Sequence, residues 1–343
     1  MLYKTWVLNT HHKMISLTMR FIKIIFFIYV FLISTNLLSQ SNTYNTSIPN
    51  KGEGLNAFLI RNNLNPTEHK AEFIELNKKN LGKKNSLRKD VAYKLPNTEK
   101  WIEEPLFGKD RSKFKLDSNI LKGTVFHLVS GHGGPDPGAL GKYGDKTLAE
   151  DEYAYDITLR LAKRLMENGA KVNMIIQDEN DGIRDESFLR MSDDETCMGA
   201  TIPLDQMKRL KQRTEAVNKL YAQNKPAYQR CVVIHVDSRS TGKSIDVFFY
   251  HAPKSKSGKK AAEEIRSVFN TKYNKHQPSR GYSGVVKDRN LYVLRKTIPT
   301  AVFVELGNIR NFSDQQRFIL QDNRQALANW MYEGLLNDFK KHK

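Results

Sequence analysis

The sequence predicts an α/β fold: a three-layer sandwich with a mixed, mostly parallel twisted sheet and helices on both faces, preceded by a small N-terminal module. Two observations predict it. Apolar, β-branched and aromatic runs at 125–129, 232–236 and 301–304 have the length and composition of buried strands. They alternate with helical stretches at 150–168, 208–223, 256–269 and 323–340, the order expected when helices cover both sides of a sheet.

Taken in order, the chain starts with an export signal, expected at residues 1–41. Arg20 and Lys23 precede an uncharged run at 24–33, and Ser34, Thr35 and Asn36 follow it, with cleavage expected near Ser39 and the true start at Met14 or Met19. That run is shorter than the roughly 20 residues a membrane span needs, so no stable span is expected after cleavage; an uncleaved anchor is the alternative. Residues 42–49 are polar and linker-like, 50–97 form a separate module, 98–120 read as a connecting arm, and 121–340 as the main domain with an insertion at about 182–209.

The first strand breaks into a glycine-rich loop, Gly131-His132-Gly133-Gly134. Glu150 then opens a helix in which Tyr153, Ile157, Leu161 and Leu165 recur every four residues, and Asn168-Gly169 stops it as a left-handed cap does. The second strand carries His235 near its exit, and the third ends at Glu305. An open α/β sheet gathers its functional groups at the carboxyl ends of its strands, so His132, His235 and Glu305 are expected at one sheet edge. Nothing resembles the compact H-E-x-x-H helix signature. A glycine-flanked histidine with room beside it, a histidine held on a strand and a carboxylate fixed at a helix start nevertheless supply three protein ligands, which leaves a fourth position for water as catalytic zinc sites do.

Across residues 122–338 the sequence resembles the catalytic domain of zinc-dependent N-acetylmuramoyl-L-alanine amidases. The resemblance rests on five pieces in family order: Gly131-His132-Gly133-Gly134 with Asp136-Pro137-Gly138; Glu150; Ile234-His235-Val236-Asp237; Val293-Leu294-Arg295, read as a strand; and Val304-Glu305-Leu306-Gly307. It departs from the pattern where Val129-Ser130 replaces Asp-Pro and where Val236-Asp237 replaces Ala-Asn. The resemblance implies one zinc per chain on His132, Glu150 and His235, with Glu305 as the catalytic proton carrier. The implied reaction is hydrolysis of the amide between N-acetylmuramic acid and L-alanine in peptidoglycan, by a protein that is exported and periplasmic or associated with the cell wall. A wall-binding protein that has lost activity and a hydrolase of another amide are the rival readings, and the intact four-residue set argues against loss. The insertion at 182–209 precedes an L-x-x-R-x-x-x-V-N helix made by Leu210, Arg213, Val217 and Asn218. It reads either as a lid or plug on which an activator protein would act, or as a solvated polar segment.

Residues 50–97 resemble a LysM glycan-binding module through Gly52-Glu53-Gly54-Leu55, Phe73-Ile74-Glu75-Leu76-Asn77 and a last short run ending at Pro96; a helical spacer is the alternative. Cys197 and Cys231 form no C-x-x-C pair, which excludes a structural cysteine-zinc site and leaves a disulfide between them open. The net charge is +18. Its Lys and Arg residues are scattered and no nucleic-acid fold signature is present, so no nucleic-acid partner is expected; an anionic wall polymer or membrane face fits better.

Overall fold

A computed structural model describes residues 44–97, 100–225, 227–237 and 244–342. The expected export signal lies outside these residues. Two compact units divide the chain near residue 98.

In the first unit, strand β1 (Thr46–Ser47) is followed by helices α1 (Leu55–Arg61) and α2 (Pro66–Asn77) and by β2 (Tyr93–Lys94), which pairs antiparallel with β1. Asn65 caps α2 by accepting the Thr67 amide, and Pro66 occupies the first helical position, where its missing N–H costs nothing. Phe58, Leu59, Leu64, Phe73, Leu81 and Tyr93 form the core. Asn77 is buried at the end of α2 and clamps β2: its Nδ2 donates to the Lys94 carbonyl at 2.7 Å and its Oδ1 accepts the Lys94 amide at 2.8 Å.

The second unit begins with a hairpin, β3 (Trp101–Glu103) and β4 (Lys113–Lys115). The expected arm at 98–120 is therefore not a free connector, because Phe107 and Phe114, with ring centroids 5.5 Å apart, and Leu121 are buried in the unit's main core. There follow β5 (Thr124–Ser130), the hairpin β6 (Leu140–Tyr143) and β7 (Lys146–Ala149), α3 (Glu150–Glu167) and β8 (Lys171–Met174). A three-stranded ribbon of β9 (Ile176–Gln177), β10 (Thr196–Cys197) and β11 (Ala200–Thr201) leads to α4 (Gln206–Gln223) and β12 (Tyr228–Asp237). The rest is β13 (Phe248–His251), α5 (Lys256–His276), β14 (Val286–Asp288), α6 (Tyr292–Lys296), β15 (Thr300–Asn308), α7 (Phe312–Ile319) and α8 (Gln321–His342).

Six strands form one sheet in the order β14-β13-β15-β12-β5-β8, parallel throughout except where β13 meets β15. Residues alternate between its faces with the period of two that a strand imposes. Phe126, Leu128, Val232, Ile234, Val302 and Val304 join the core with α3, α5, α7 and α8, whereas Val129, Cys231, Val233, Ala301 and Phe303 join the core with α4 and α6. This is the expected three-layer arrangement. Helix α3 ends as the sequence predicts, with Gly169 at φ +87° just beyond Asn168, a conformation that costs glycine no Cβ clash. Helix α5 runs on to His276 because Tyr273, four residues after Phe269, continues its buried stripe.

Two expectations need correcting. Val293-Leu294-Arg295 is a helical turn and not a strand: the Arg295 amide bonds the Leu291 carbonyl at 3.0 Å and the Thr297 amide bonds Val293 at 3.1 Å, so its backbone is satisfied within the turn. The insertion at 182–209 is not a solvated segment. Leu189, Glu195, Cys197 and Ile202 are buried, and Arg324, itself fully buried and paired with Asp156 at 2.6 Å, donates to the carbonyls of Arg184 and Glu186. Those charge-assisted bonds hold a polar stretch that composition alone would leave in water. Cys197 and Cys231 are both buried free thiols.

Candidate active site

Strands β5, β12 and β15 are parallel neighbours, so their carboxyl ends open on the same edge. Just past the end of β5 the backbone turns through His132 at φ +64°, an unusual conformation for a residue with a side chain, followed by Gly133 at +103° and Gly134 at +62°. An Arg213 guanidinium nitrogen donates to the His132 carbonyl and braces this turn. Gly131 permits a close approach, because a Cβ there would lie 2.4 Å from the His235 ring.

Glu150 enters from the β6–β7 hairpin at the first position of α3, where a carboxylate faces the positive end of the helix dipole. It is buried, and its oxygens are fully engaged. Oε1 accepts from the Val236 amide and contacts His235 Nδ1, both at 2.9 Å; Oε2 accepts the Ala139 amide at 2.8 Å and lies 3.3 Å from His132 Nε2. The two imidazoles meet edge to face with centroids 4.8 Å apart, and the His235 ring stacks on Phe303 at 4.5 Å. One donor atom from each of His132, Glu150 and His235 lies within 4.8 Å of the others. Glu305 is the register partner of His235 across the β12–β15 ladder, and partnered residues of a parallel pair project from the same face. All four residues singled out in the sequence thus meet at one edge.

The electrostatics of the cluster set its three members apart. Burial alone would raise the Glu150 carboxyl, but its bonds to His132 and His235 hold it well below the ordinary carboxylate range. Burial pulls His132 down, yet Asp136 and Glu150 outweigh it and hold the imidazole at about 10. His235, enclosed by protein, is pushed below its ordinary value by burial.

Three further residues complete the site without having been assigned roles from the sequence. Asp136 Oδ2 lies 2.9 Å from His132 Nδ1 and accepts from Arg209 Nη2 at 2.7 Å, which fixes the histidine's ring orientation and leaves Nε2 toward the cluster. Arg209 and Arg213 share one face of α4, four residues apart; Arg213 belongs to the L-x-x-R stretch and Arg209 immediately precedes it, which was the available signal. Both arginines, with His132, His235, Tyr292 and Phe303, line a cavity of about 200 Å³ beside the cluster.

An open α/β sheet that brings two imidazoles and two carboxylates to one edge, beside a cavity, has the residue types of a hydrolytic site. More particularly, the chain belongs to the N-acetylmuramoyl-L-alanine amidase family Amidase_3, whose sequence profile matches residues 127–337. It is similar to an uncharacterized cell wall amidase of Bacillus anthracis, 26% identical over 66% of this chain and 37% of that protein, so the chain spans little more than a third of that relative's length. It is also similar to the germination-specific N-acetylmuramoyl-L-alanine amidase of Bacillus subtilis, 23% identical over 64% of this chain and 81% of that protein. Among solved structures, the amidase AmiC2 of Nostoc punctiforme matches 64% of this chain and 98% of its own with 20% identity and a TM-score of 0.46. The CwlD amidase of Clostridioides difficile, solved in complex with the GerS lipoprotein, matches 64% and 99% with 20% identity and a TM-score of 0.47.

Proposed function

We propose that this amidase is zinc-dependent and hydrolyses the amide between the lactyl group of N-acetylmuramic acid and L-alanine in peptidoglycan, in cell-wall remodelling or daughter-cell separation. The observation that carries the reading is the convergence of His132, Glu150 and His235, whose donor atoms lie within 4.8 Å of one another, with Glu305 in register beside His235. Two imidazoles and one carboxylate are a donor set that zinc accepts in catalytic sites, and the Glu150 carboxyl, held ionised by its neighbours, supplies the anionic donor. When bound, zinc supplies a Lewis acid that polarises the scissile carbonyl and acidifies water.

The chain's own residues do the rest. Asp136 keeps His132 oriented, and the Val236 and Ala139 amides keep Glu150 from swinging. Glu305 takes a proton from the attacking water and delivers it to the amine of L-alanine as the C–N bond breaks, a contribution of about 10² to 10⁴ in rate. The cavity lined by Arg209, Arg213 and Tyr292 is where the substrate beside the scissile bond would lie.

Around this centre, residues 1–41 would export the chain to the periplasm or cell wall, and residues 50–97 would bind glycan as a LysM-like module. The order of two helices between paired strands and the Asn77 clamp support an independently built module. The net charge of +18 would help to hold the enzyme on an anionic wall. An activator protein would act on 182–209, which packs beside the His132 loop through the bond from the Gly134 amide to Glu195 at 2.7 Å. The test is to incubate the chain with purified sacculi and identify the products by mass. Stem peptides with a free L-alanine amine support the reading, and cleavage at any other bond overturns it.

A further inference from the structure

A second group of ligand-type side chains lies next to the first and takes no part in the chemistry above. Asp151, Glu152 and Glu195 are each at least nine-tenths buried, and one carboxylate oxygen from each lies within 4.8 Å of the others. Asp151 and Glu152 sit in the first turn of α3, where the helix dipole compensates part of their charge. The dipole does not account for Glu195, which comes from the residue before β10 and points its carboxylate into the same place.

The contacts of the three leave charge and coordination unmet. Glu152 pairs with Arg184 at 2.9 Å and accepts from the Ser192 amide at 2.6 Å and its hydroxyl at 3.2 Å. Glu195 Oε2 accepts the Gly134 amide. Asp151 Oδ1 accepts the neighbouring Glu152 amide, while Oδ2, fully buried, has no hydrogen-bond partner among the described residues. Glu152–Arg184 is the cluster's one ion pair among the described residues, and Arg184 also serves Asp181 at 2.5 Å. Burying unpaired carboxylates costs several kcal/mol each unless a cation meets them or they take up protons, and burial does push the Asp151 and Glu195 carboxyls up.

We propose that Asp151, Glu152 and Glu195 form a second metal site, specific for a hard divalent cation of calcium's size and distinct from the His132–Glu150–His235 cluster. An all-oxygen donor set selects hard cations over zinc. Oxygens that ligate calcium at about 2.3 to 2.6 Å can be up to roughly 5 Å apart, which matches the cluster's spread, whereas magnesium's shorter bonds and reluctance to shed water suit a buried three-carboxylate pocket less well. The site would tie the start of α3, which carries Glu150, to the loop that carries His132, because Glu195 also holds Gly134. Its role is structural: it fixes the separation of two ligands of the neighbouring cluster.

The test measures calcium binding to the full chain directly, by equilibrium dialysis against radioactive calcium with zinc counted separately. Expected is one calcium per chain with a dissociation constant below about 1 mM, the weak end of protein calcium sites. Asp151→Asn and Glu195→Gln should each weaken calcium at least about tenfold, whereas His132→Ala should leave it in place. Terbium emission sensitised by Tyr155, which shares α3 with the cluster, gives a second readout that calcium should quench by displacement. No calcium bound by the native chain at about 10 mM overturns the proposal without recourse to any variant. Native-like calcium affinity in both folded carboxylate variants overturns it too. If the three carboxylates merely share protons, Asp151→Asn raises the melting temperature and calcium leaves that of the native chain unchanged, the opposite of the calcium-induced rise the site requires.

Discussion

Gly131 gives the sharpest structural test of the site, because its replacement touches the proposed zinc ligand His235 without removing any functional group. In Gly131→Ala the new methyl would lie 2.4 Å from both Cε1 and Nδ1 of His235 and 2.7 Å from Cγ. That is about 1 Å closer than ordinary contact permits, and the backbone at Gly131 lies outside the left-handed region, so the clash is purely steric. The ring has little room to retreat, held by Glu150 Oε1 on one atom and stacked on Phe303. Overpacking of this kind costs about 1 to 3 kcal/mol, which lowers the melting temperature of a domain this size by roughly 2 to 12 °C. Displacing a ligand by about 1 Å should also lower the rate around 10²-fold. The assay compares zinc content, melting temperature and muropeptide hydrolysis with those of Gly54→Ala, whose methyl would meet nothing within 4 Å. If Gly131→Ala keeps full zinc and native activity, His235 does not sit against this loop and the geometry argued here is wrong.

Three other outcomes are expected. Glu305→Ala should keep its zinc and its fold but lose sacculus hydrolysis by at least about 10²-fold, and unchanged activity would move proton transfer to another group. His127 is fully buried between Gln229 at 2.9 Å and Asn173 at 3.2 Å, and burial pushes its imidazole below the ordinary value. Its unfolded value near 6.5 is then the higher one, so this contribution is full above about pH 6.5 and is lost as pH falls from there toward the folded value. Urea unfolding at a series of pH values should show that slope, reduced in His127→Gln; an equal slope in the variant excludes His127 as its source. A chain beginning at residue 99 should hydrolyse soluble muropeptides as the full chain does and pellet less with sacculi at physiological salt, because a tethered binding module raises local concentration. Equal pelleting would make residues 50–97 a spacer. The cut belongs at 99 and not at the end of the expected arm, since Phe107 and Phe114 are part of the second unit's core.

What the sequence discloses depends on whether the signal is local. Strand runs at 125–129, 232–236 and 301–304 announce β5, β12 and β15 because strands buried on both faces are apolar throughout. Their parallel alignment then puts His132, His235 and Glu305 on one edge, so the site follows from the order of the elements. Asp136 escaped a role because its partners, His132 Nδ1 and Arg209, meet only after α4 folds back over the loop. The segment at 182–209 looks solvated because the carbonyls of Arg184 and Glu186 are met by Arg324, more than a hundred positions away, and no local window of sequence contains both. Val293-Leu294-Arg295 has strand composition, yet five residues are short enough for packing against α4 to decide between a strand and a turn. The acidic cluster has the same origin: Glu195 is 44 residues from Asp151 in sequence, and only the ribbon of β9, β10 and β11 brings it back.

The central claim is that His132, Glu150 and His235 together hold one catalytic zinc, and the measurement that tests it most directly is zinc stoichiometry in the purified chain and in two single variants. The account predicts one zinc per native chain at this cluster, with most of it gone in His132→Ala and in His235→Ala, since either change leaves two protein ligands where zinc sites use three. Full zinc occupancy in both variants would contradict it.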